Sequence, residues 1–353
     1  MTRSPLTMPT PRTYPLRGGP ALRWGIVAPG AIAADFVHAL HTHTDQRVVA
    51  VASRSPERAA EFAHRHGIPR SHGGYAALFD DPAVQVVYVA APHSEHLSLG
   101  LAAIAAGKHV LIEKPIGLSA AEARTIRDAA RAAGVFVMEA MWTRFLPQTD
   151  VMVQLRDAGA LGDVRLLTAD FGFRAQPGGR IFDPVLGGGA LLDLGVYLVW
   201  LSRMWLGAPD SITASGTLSE TGVDDQSATV LGYASGARAV LTTSLLVSSP
   251  GRAGVSGTEA HLDLDPDWVF PSGFDLVAAG RGERARFADR SGMTRRQGMA
   301  WQTAAVARHV ADGRTESPEH PLQASIEILG VIDEARRQVR AAAEEALRES
   351  APR

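Results

Sequence analysis

The sequence predicts an α/β chain of two domains. The N-terminal domain is built on a parallel sheet with helices on both faces. The C-terminal domain is α+β with a large, mostly antiparallel sheet. Three observations carry this. Over residues 22–138, apolar runs of strand length alternate with helical stretches, the order that builds βαβ units. From residue 211 on, strand-like runs follow one another with no helix between them. The chain has 353 residues, the length of two domains rather than one.

Composition excludes several classes. The chain is 46% hydrophobic and 20% charged, as a soluble globular protein is. A net charge of −2 gives no basic excess for nucleic acid or an anionic membrane. With no cysteine there is no disulfide, thiolate catalyst or cysteine metal site. No apolar run reaches membrane-spanning length, and residues 1–20, rich in Pro, Thr and Arg, lack the apolar core of a secretory signal. The expected location is the cytoplasm. Residues 1–21 are expected to be a disordered extension or a misassigned start, and 346–353 a short tail.

Leu22 to Ala28 reads as a strand, followed by Pro29-Gly30-Ala31-Ile32-Ala33 and a helix to about Leu40. Strand, tight turn and helix is the setting a dinucleotide fingerprint requires. The spacing reads Ala28-x-Gly30-x-x-Ala33, with alanine at the first glycine position. Gly30 lets backbone approach a pyrophosphate, and Ala33 is the small residue for close helix–strand packing. An ordinary βα turn has the same pattern, and Ala28 resists positive φ.

Arg47 to Ala52 is a second strand, and Pro56 to about His66 a helix with proline at a favoured first-turn position. A site for NAD places an acid at the end of this strand to bind the ribose 2′-hydroxyl. Here the residues are Ser53-Arg54-Ser55, with Arg58 one helical turn on. The planar fork of arginine suits a 2′-phosphate, so NADP is expected in preference to NAD.

Val84 to Ala90 is a third strand, Ala91-Pro92-His93-Ser94-Glu95-His96 its turn, and a helix runs to about Ala106. Lys108 to Ile112 is a fourth, closed by Glu113-Lys114-Pro115. A lysine just past the carboxyl end of a parallel strand sits where open α/β sheets bind ligands. Proline after it keeps that lysine out of the helical region. Ser119 with Glu122 forms a capping box, Gly134 ends the helix, and Val135 to Met138 is the next strand.

These segments resemble the Gfo/Idh/MocA family of nicotinamide oxidoreductases. The likeness rests on Trp24 to Ala33, on Ala91-Pro92-His93 with His96, on Glu113-Lys114-Pro115, and on Met138 to Phe145. It covers roughly residues 22–345 and is nearest the dihydrodiol and NADP-dependent D-xylose dehydrogenase branch. It implies a Rossmann domain over 22–145 and a substrate-binding, dimerising domain over 146–345. Cofactor contacts are then expected from Ala28, Gly30, Ala31, Ile32, Ser53, Arg54, Arg58, Pro92, His93, Glu113 and Lys114.

In the second half, Gly187-Gly188-Gly189 leads into a buried helix from Ala190 to about Leu206. Asp193 and Tyr197 are four apart and share a helical face. The family pattern is Asp-x-Gly-x-His; this chain has Tyr197 for the histidine, as the dihydrodiol branch does. Free tyrosine titrates near 10. It serves near neutrality only beside a cation, and Lys114 is the candidate. Tyr197 is then expected to exchange the hydroxyl proton, Lys114 to stabilise developing negative charge, and Asp193 to orient Lys114 or substrate hydroxyls.

Trp142 and Arg144 follow the last Rossmann strand. Phe171 and Phe173 share one face of the strand Arg165 to Phe173, where they suit either a substrate's C–H surface or the sheet core. Arg180 lies near the glycine loop. Strand-like runs follow at 211–218, 226–233, 237–247 and 259–264, then helices at 297–312 and 322–345. The resemblance implies a homodimer or homotetramer through the sheet's open face.

No metal is expected: His41 and His43, and His64 and His66, point to different helix faces. The expected activity is hydride transfer between NADP(H) and a CH–OH group of an aldose or vicinal trans-diol. The alternatives are a sugar oxidoreductase that never releases NADP(H) and a catalytically silent NADP-binding regulator.

Overall fold

The computed structural model describes residues 7–280 and 282–350. In these residues the apolar runs of the first half pair as one parallel sheet. Its strands are β1 (Arg23–Val27), β2 (Arg47–Ala52), β3 (Arg70–His72), β4 (Val86–Val89), β5 (His109–Glu113) and β6 (Val137–Ala140), in the order β3-β2-β1-β4-β5-β6. The helices are α1 (Ala31–His43), α2 (Pro56–His66), α3 (Tyr75–Phe79), α4 (His96–Ala105) and α5 (Ala120–Ala133). β4 is buried at every position, which explains its unbroken apolar run. The strand order reverses between β1 and β4, and there a doubly wound sheet opens a crevice at its carboxyl edge.

The second half opens with α6 (Pro147–Asp157), then β7 (Val164–Gly172) and α7 (Val196–Leu206). Seven strands follow: β8 (Ser211–Leu218), β9 (Asp224–Gly232), β10 (Arg238–Ser244), β11 (Ala253–Gly257), β12 (Ala260–Leu264), β13 (Gly273–Ala278) and β14 (Arg284–Ala288). They form one eight-stranded sheet, β14-β13-β12-β11-β7-β10-β9-β8, antiparallel except at β7–β10. Buried and exposed residues alternate along β9, so one face carries the core. β11, β13 and β14 lack strong periodicity and are not visible in the sequence; nor is β3.

The chain ends in α8 (Met299–Ala311) and α9 (Leu322–Ser350). Its contacts divide it into two units, whose bounds differ from the expected domain boundaries. Among the described residues, one unit holds 13–146 and 293–326, the other 7–12, 147–292 and 327–350. The return of 293–326 to the parallel-sheet unit is anchored by Arg296 on Asp35 at 2.7 Å and by the Val137 N–H on the Thr315 carbonyl at 3.0 Å. Nothing local marks that return, because it is made of pairings across more than 150 residues.

The segment expected to be an extension is described from residue 7 on. Residues 7–21 carry no helix or strand, yet their backbone and side chains are bonded. Gln154 donates to the Thr10 carbonyl at 2.9 Å, Tyr14 donates to Glu319 at 2.5 Å, and Gly18 N–H donates to Asp45 at 2.7 Å. Residues 1–6, and 351–353 of the expected tail, lie outside the described residues. No helix among the described residues is long and apolar enough to cross a membrane.

Candidate active site

In the parallel-sheet unit the turn after β1 is drawn by two small residues. Ala28 takes φ 63, the left-handed conformation that glycine adopts more cheaply. The tight turn therefore forms despite the alanine, at a strain of about 1–2 kcal/mol. Gly30 caps α1 with extended backbone, and a Cβ there would meet no atom within 4 Å. Protein packing therefore does not demand glycine at this position; contrast Gly25, whose Cβ would lie 2.8 Å from Val84. The start of α1 has neither a side-chain cap nor an acid in its first turn. Its N–H groups thus suit an anion such as pyrophosphate. Ala31 is exposed, Ile32 half-buried and Ala33 buried.

At the end of β2, Ser53 is buried, with its N–H on the His72 carbonyl at 3.2 Å. Ser55 caps α2 by accepting the Arg58 N–H at 3.2 Å. Arg54 and Arg58 are exposed, and among the described residues no carboxylate lies within ion-pair distance of either guanidinium. Both face Tyr75: burial raises that phenol's pKa, and the two arginines oppose the rise. Two exposed guanidiniums, one just past β2 and one in the first turn of α2, are thus available to an anion.

The turn after β5 is held residue by residue. The Lys114 N–H donates to Glu113 Oε2 at 3.2 Å, the Pro115 carbonyl faces His96 Nδ1 at 2.7 Å, and the Ile116 N–H donates to Glu139 Oε1 at 2.9 Å. Burial pushes the Glu113 carboxyl up; the Tyr88 hydroxyl that donates to it, and Lys114, act against that. Burial also acts to raise Glu139, but His320 at 2.8 Å and Ser325 at 2.6 Å hold its carboxyl below the ordinary range. Pro92 precedes a short helical turn, and the buried His93 ring meets His96 edge-on at 5.6 Å. Trp142 is buried, and Arg144 Nε donates to the Glu319 carbonyl at 3.0 Å.

In the antiparallel-sheet unit, Asp193 lies on a π-helical turn, Leu191–Gly195, that leads into α7. The sequence predicts a plain α-helix there; π turns are rare and often sit at functional sites. Asp193 is buried, and Arg180 Nη2 lies 3.5 Å from its Oδ1. Tyr197 is 6% exposed, its ring edge-on to Phe171 at 5.9 Å. Phe171 packs on the apolar cluster of Ala175, Ala190, Leu194 and Leu245, whereas Phe173 is 39% exposed. So Asp193, Tyr197, Phe171 and Arg180 are brought together, and Phe173 stands apart from the cluster. Among the described residues, no group of three or more His, Asp or Glu is placed to hold a metal ion.

Sequence reasoning missed Glu139, His320 and Asp224. The signal for Glu139 was an acid inside an apolar strand, which must find partners. Asp224 lies in the run Glu220 to Asp225, which resembles the dihydrodiol branch, and was given no site role there.

A parallel sheet in this order, with a glycine turn and a bare helix start at its switch point, is the arrangement of a dinucleotide-binding Rossmann domain. Residues 22–141 match the oxidoreductase family with NAD-binding Rossmann fold, and residues 150–263 match the GFO/IDH/MocA C-terminal domain. The chain belongs to the Gfo/Idh/MocA family of oxidoreductases. It is 39% identical over 328 residues to the trans-1,2-dihydrobenzene-1,2-diol dehydrogenase of Mus musculus, covering 90% of this chain and 97% of the relative. The solved structure of levoglucosan dehydrogenase with NADH and levoglucosan shares the fold at TM-score 0.83 and 20% identity, over 92% of this chain and 98% of that one. An aldose–aldose oxidoreductase from Caulobacter crescentus, complexed with glycerol, matches at TM-score 0.80 and 26% identity, over 91% and 98%.

Proposed function

We propose that the protein is an NADP-dependent dehydrogenase of a CH–OH group in a vicinal trans-diol or an aldose. The observation that carries the reading is the 39% identity to a trans-diol dehydrogenase across 97% of that relative. For the cofactor, the support is the pair Arg54 and Arg58, exposed at the end of β2 where NAD sites place an acid.

The bound nicotinamide supplies hydride acceptance or donation at the substrate carbon. The chain's own residues manage the proton. Tyr197 takes the proton of the substrate hydroxyl on oxidation and returns it on reduction. Lys114 stabilises the negative charge that develops on oxygen and lowers the cost of ionising the phenol. Asp193, paired with Arg180, orients substrate hydroxyls. Phe171 holds the Tyr197 ring by its edge. Trp142, Arg144 and Phe173 remain proposed substrate contacts, and Pro92 and His93 proposed cofactor contacts.

The same reading includes a cytoplasmic location and a homodimer or homotetramer formed on the open sheet face. There Val230 and Val240 stand directly opposite one another, 39% and 37% exposed, with Leu166 at 42% two residues from Val240's partner on β7.

The test is a panel of trans-dihydrodiols, aldoses and inositols with NADP⁺, followed by nicotinamide absorbance. Turnover of a diol or aldose supports the reading, and turnover confined to other alcohols overturns it. A second reading, sugar-to-sugar transfer on a cofactor that never leaves, draws on the likeness to the Caulobacter enzyme. It requires the purified protein to carry nicotinamide absorbance, and a protein free of it rules that reading out.

A further inference from the structure

The helix that carries Asp193 and Tyr197 starts against a buried carboxylate. Leu191 N–H, one of the orphan donors at that helix start, donates to Asp224 Oδ2 at 2.6 Å. Asp224 is 4% exposed and opens β9. Its other oxygen is pressed on the glycine loop: a Cβ on Gly189, which has φ +125, would lie 2.4 Å from Oδ1. The seat therefore admits no side chain at 189 while Asp224 occupies it.

Four other charged groups lie around this seat. Arg336 on α9 brings Nε to 4.0 Å from Oδ1, Arg340 acts from the next turn, and Asp333 acts on Arg336 from the turn before. Asp225, the chain neighbour, accepts from Thr217 at 2.5 Å. Burial nevertheless lifts the Asp224 pKa to about 6, although Leu191 N–H and Arg336 oppose the rise. The folded state then holds this proton more tightly than the unfolded chain, whose aspartate titrates near 3.8. Stability accordingly falls as pH rises from about 3.8 through about 6, where Asp224 ionises in the fold. An asparagine would accept the same N–H without that cost, so stability alone does not explain a carboxylate here.

We propose that Asp224 is a positioning residue for the proton carrier: its ionised carboxylate seats the π turn Leu191–Gly195 and through it sets Asp193 and Tyr197. The proposal rests on the reading of Tyr197 given above. A carboxylate makes the stronger, shorter bond to a backbone N–H, so the seat is firmest when Asp224 is ionised. Protonation as pH falls through about 6 leaves the Leu191 N–H a neutral, weaker acceptor.

The experiment uses the full chain with Asp224→Ala and Asp224→Asn, two readouts and a Tyr197→Phe control. Backbone hydrogen exchange over residues 189–197, corrected for the intrinsic pH dependence of exchange, reports the seat without reference to catalysis. Turnover against pH, with NADP⁺ and the best panel substrate, reports its consequence. Asp224→Ala is expected to exchange about tenfold faster in that segment and to lose about tenfold in kcat, with KM for NADP⁺ within about twofold. Asp224→Asn is expected to keep most of the turnover near neutrality and to lack the acid limb near pH 6 that the proposal requires of the native chain. Unchanged exchange in Asp224→Ala, or an acid limb that persists in Asp224→Asn, overturns the proposal. If Asp224→Ala fails to fold, the Asp224→Asn pH profile decides alone. Normal turnover in Tyr197→Phe would sink the reading of Tyr197 and leave the exchange result standing, so the two failures are distinct.

Discussion

The ring of His96 ties Pro115 to the preceding turn. Its Nδ1 lies 2.7 Å from the Pro115 carbonyl and its Nε2 lies 2.9 Å from the Ala91 carbonyl. One side chain at the start of α4 therefore joins the loops at the carboxyl ends of β4 and β5, next to Lys114. A neutral imidazole has one N–H for these two acceptors, whereas the imidazolium has two. Complete burial nonetheless holds the ring's pKa below 6.5, against the pull of both carbonyls and of Glu139.

Because the folded ring resists protonation and the unfolded one does not, stability is lost as pH falls below about 6.5. His96→Asn is expected to remove that component and to cost about 1–3 kcal/mol at neutral pH, the penalty for an unpaired buried acceptor. Urea midpoints of both proteins between about pH 5.5 and 7.5 check this. His41 and His109 are shifted in the same direction, so the difference between native and variant isolates His96. Parallel curves would show that His96 is not the titrating group.

Arg54→Ala is expected to lower the preference for NADP⁺ over NAD⁺, as a ratio of kcat/KM, by about ten- to a hundredfold. That corresponds to the loss of a charged hydrogen bond worth about 1.5–3 kcal/mol. Arg58→Ala should move the ratio in the same direction. A native enzyme that uses both cofactors equally would remove the argument from Arg54.

Tyr197→Phe is expected to lower kcat by about 10²–10⁴ while the cofactor Kd stays within about twofold, since only proton transfer is lost. Lys114→Met should move the pH optimum of oxidation upward or abolish activity, because the phenol then ionises without its cation. Single-turnover rates separate these effects from product release. An unchanged pH profile in Lys114→Met would disconnect the two residues.

Much of the candidate site was read from the sequence because its residues lie in short, ordered motifs. Gly30, the missing acid beside Arg54, and Lys114 before proline are each read from neighbours in the chain. Tyr197 was legible as a departure from a family pattern. The supports were not. Glu139 was visible as an acid in an apolar strand, but its partner His320 lies 181 residues away. The π turn escaped notice because Leu-Leu-Asp-Leu-Gly fits an α-helix equally well.

The sequence by itself determined the alternation of strand and helix, the turn chemistry after β1, β2 and β5, and the types of residue available for proton and phosphate work. These follow from periodicity and local backbone preference, which act over a few residues. Only the tertiary structure decided that Ala28 takes the left-handed conformation, that 293–326 returns to the parallel-sheet unit, and that Asp224 seats the turn bearing Asp193. Each depends on burial and hydrogen bonding between distant segments. Strain at one residue, or a carboxylate kept from water, is tolerated only when the surrounding fold holds it in place.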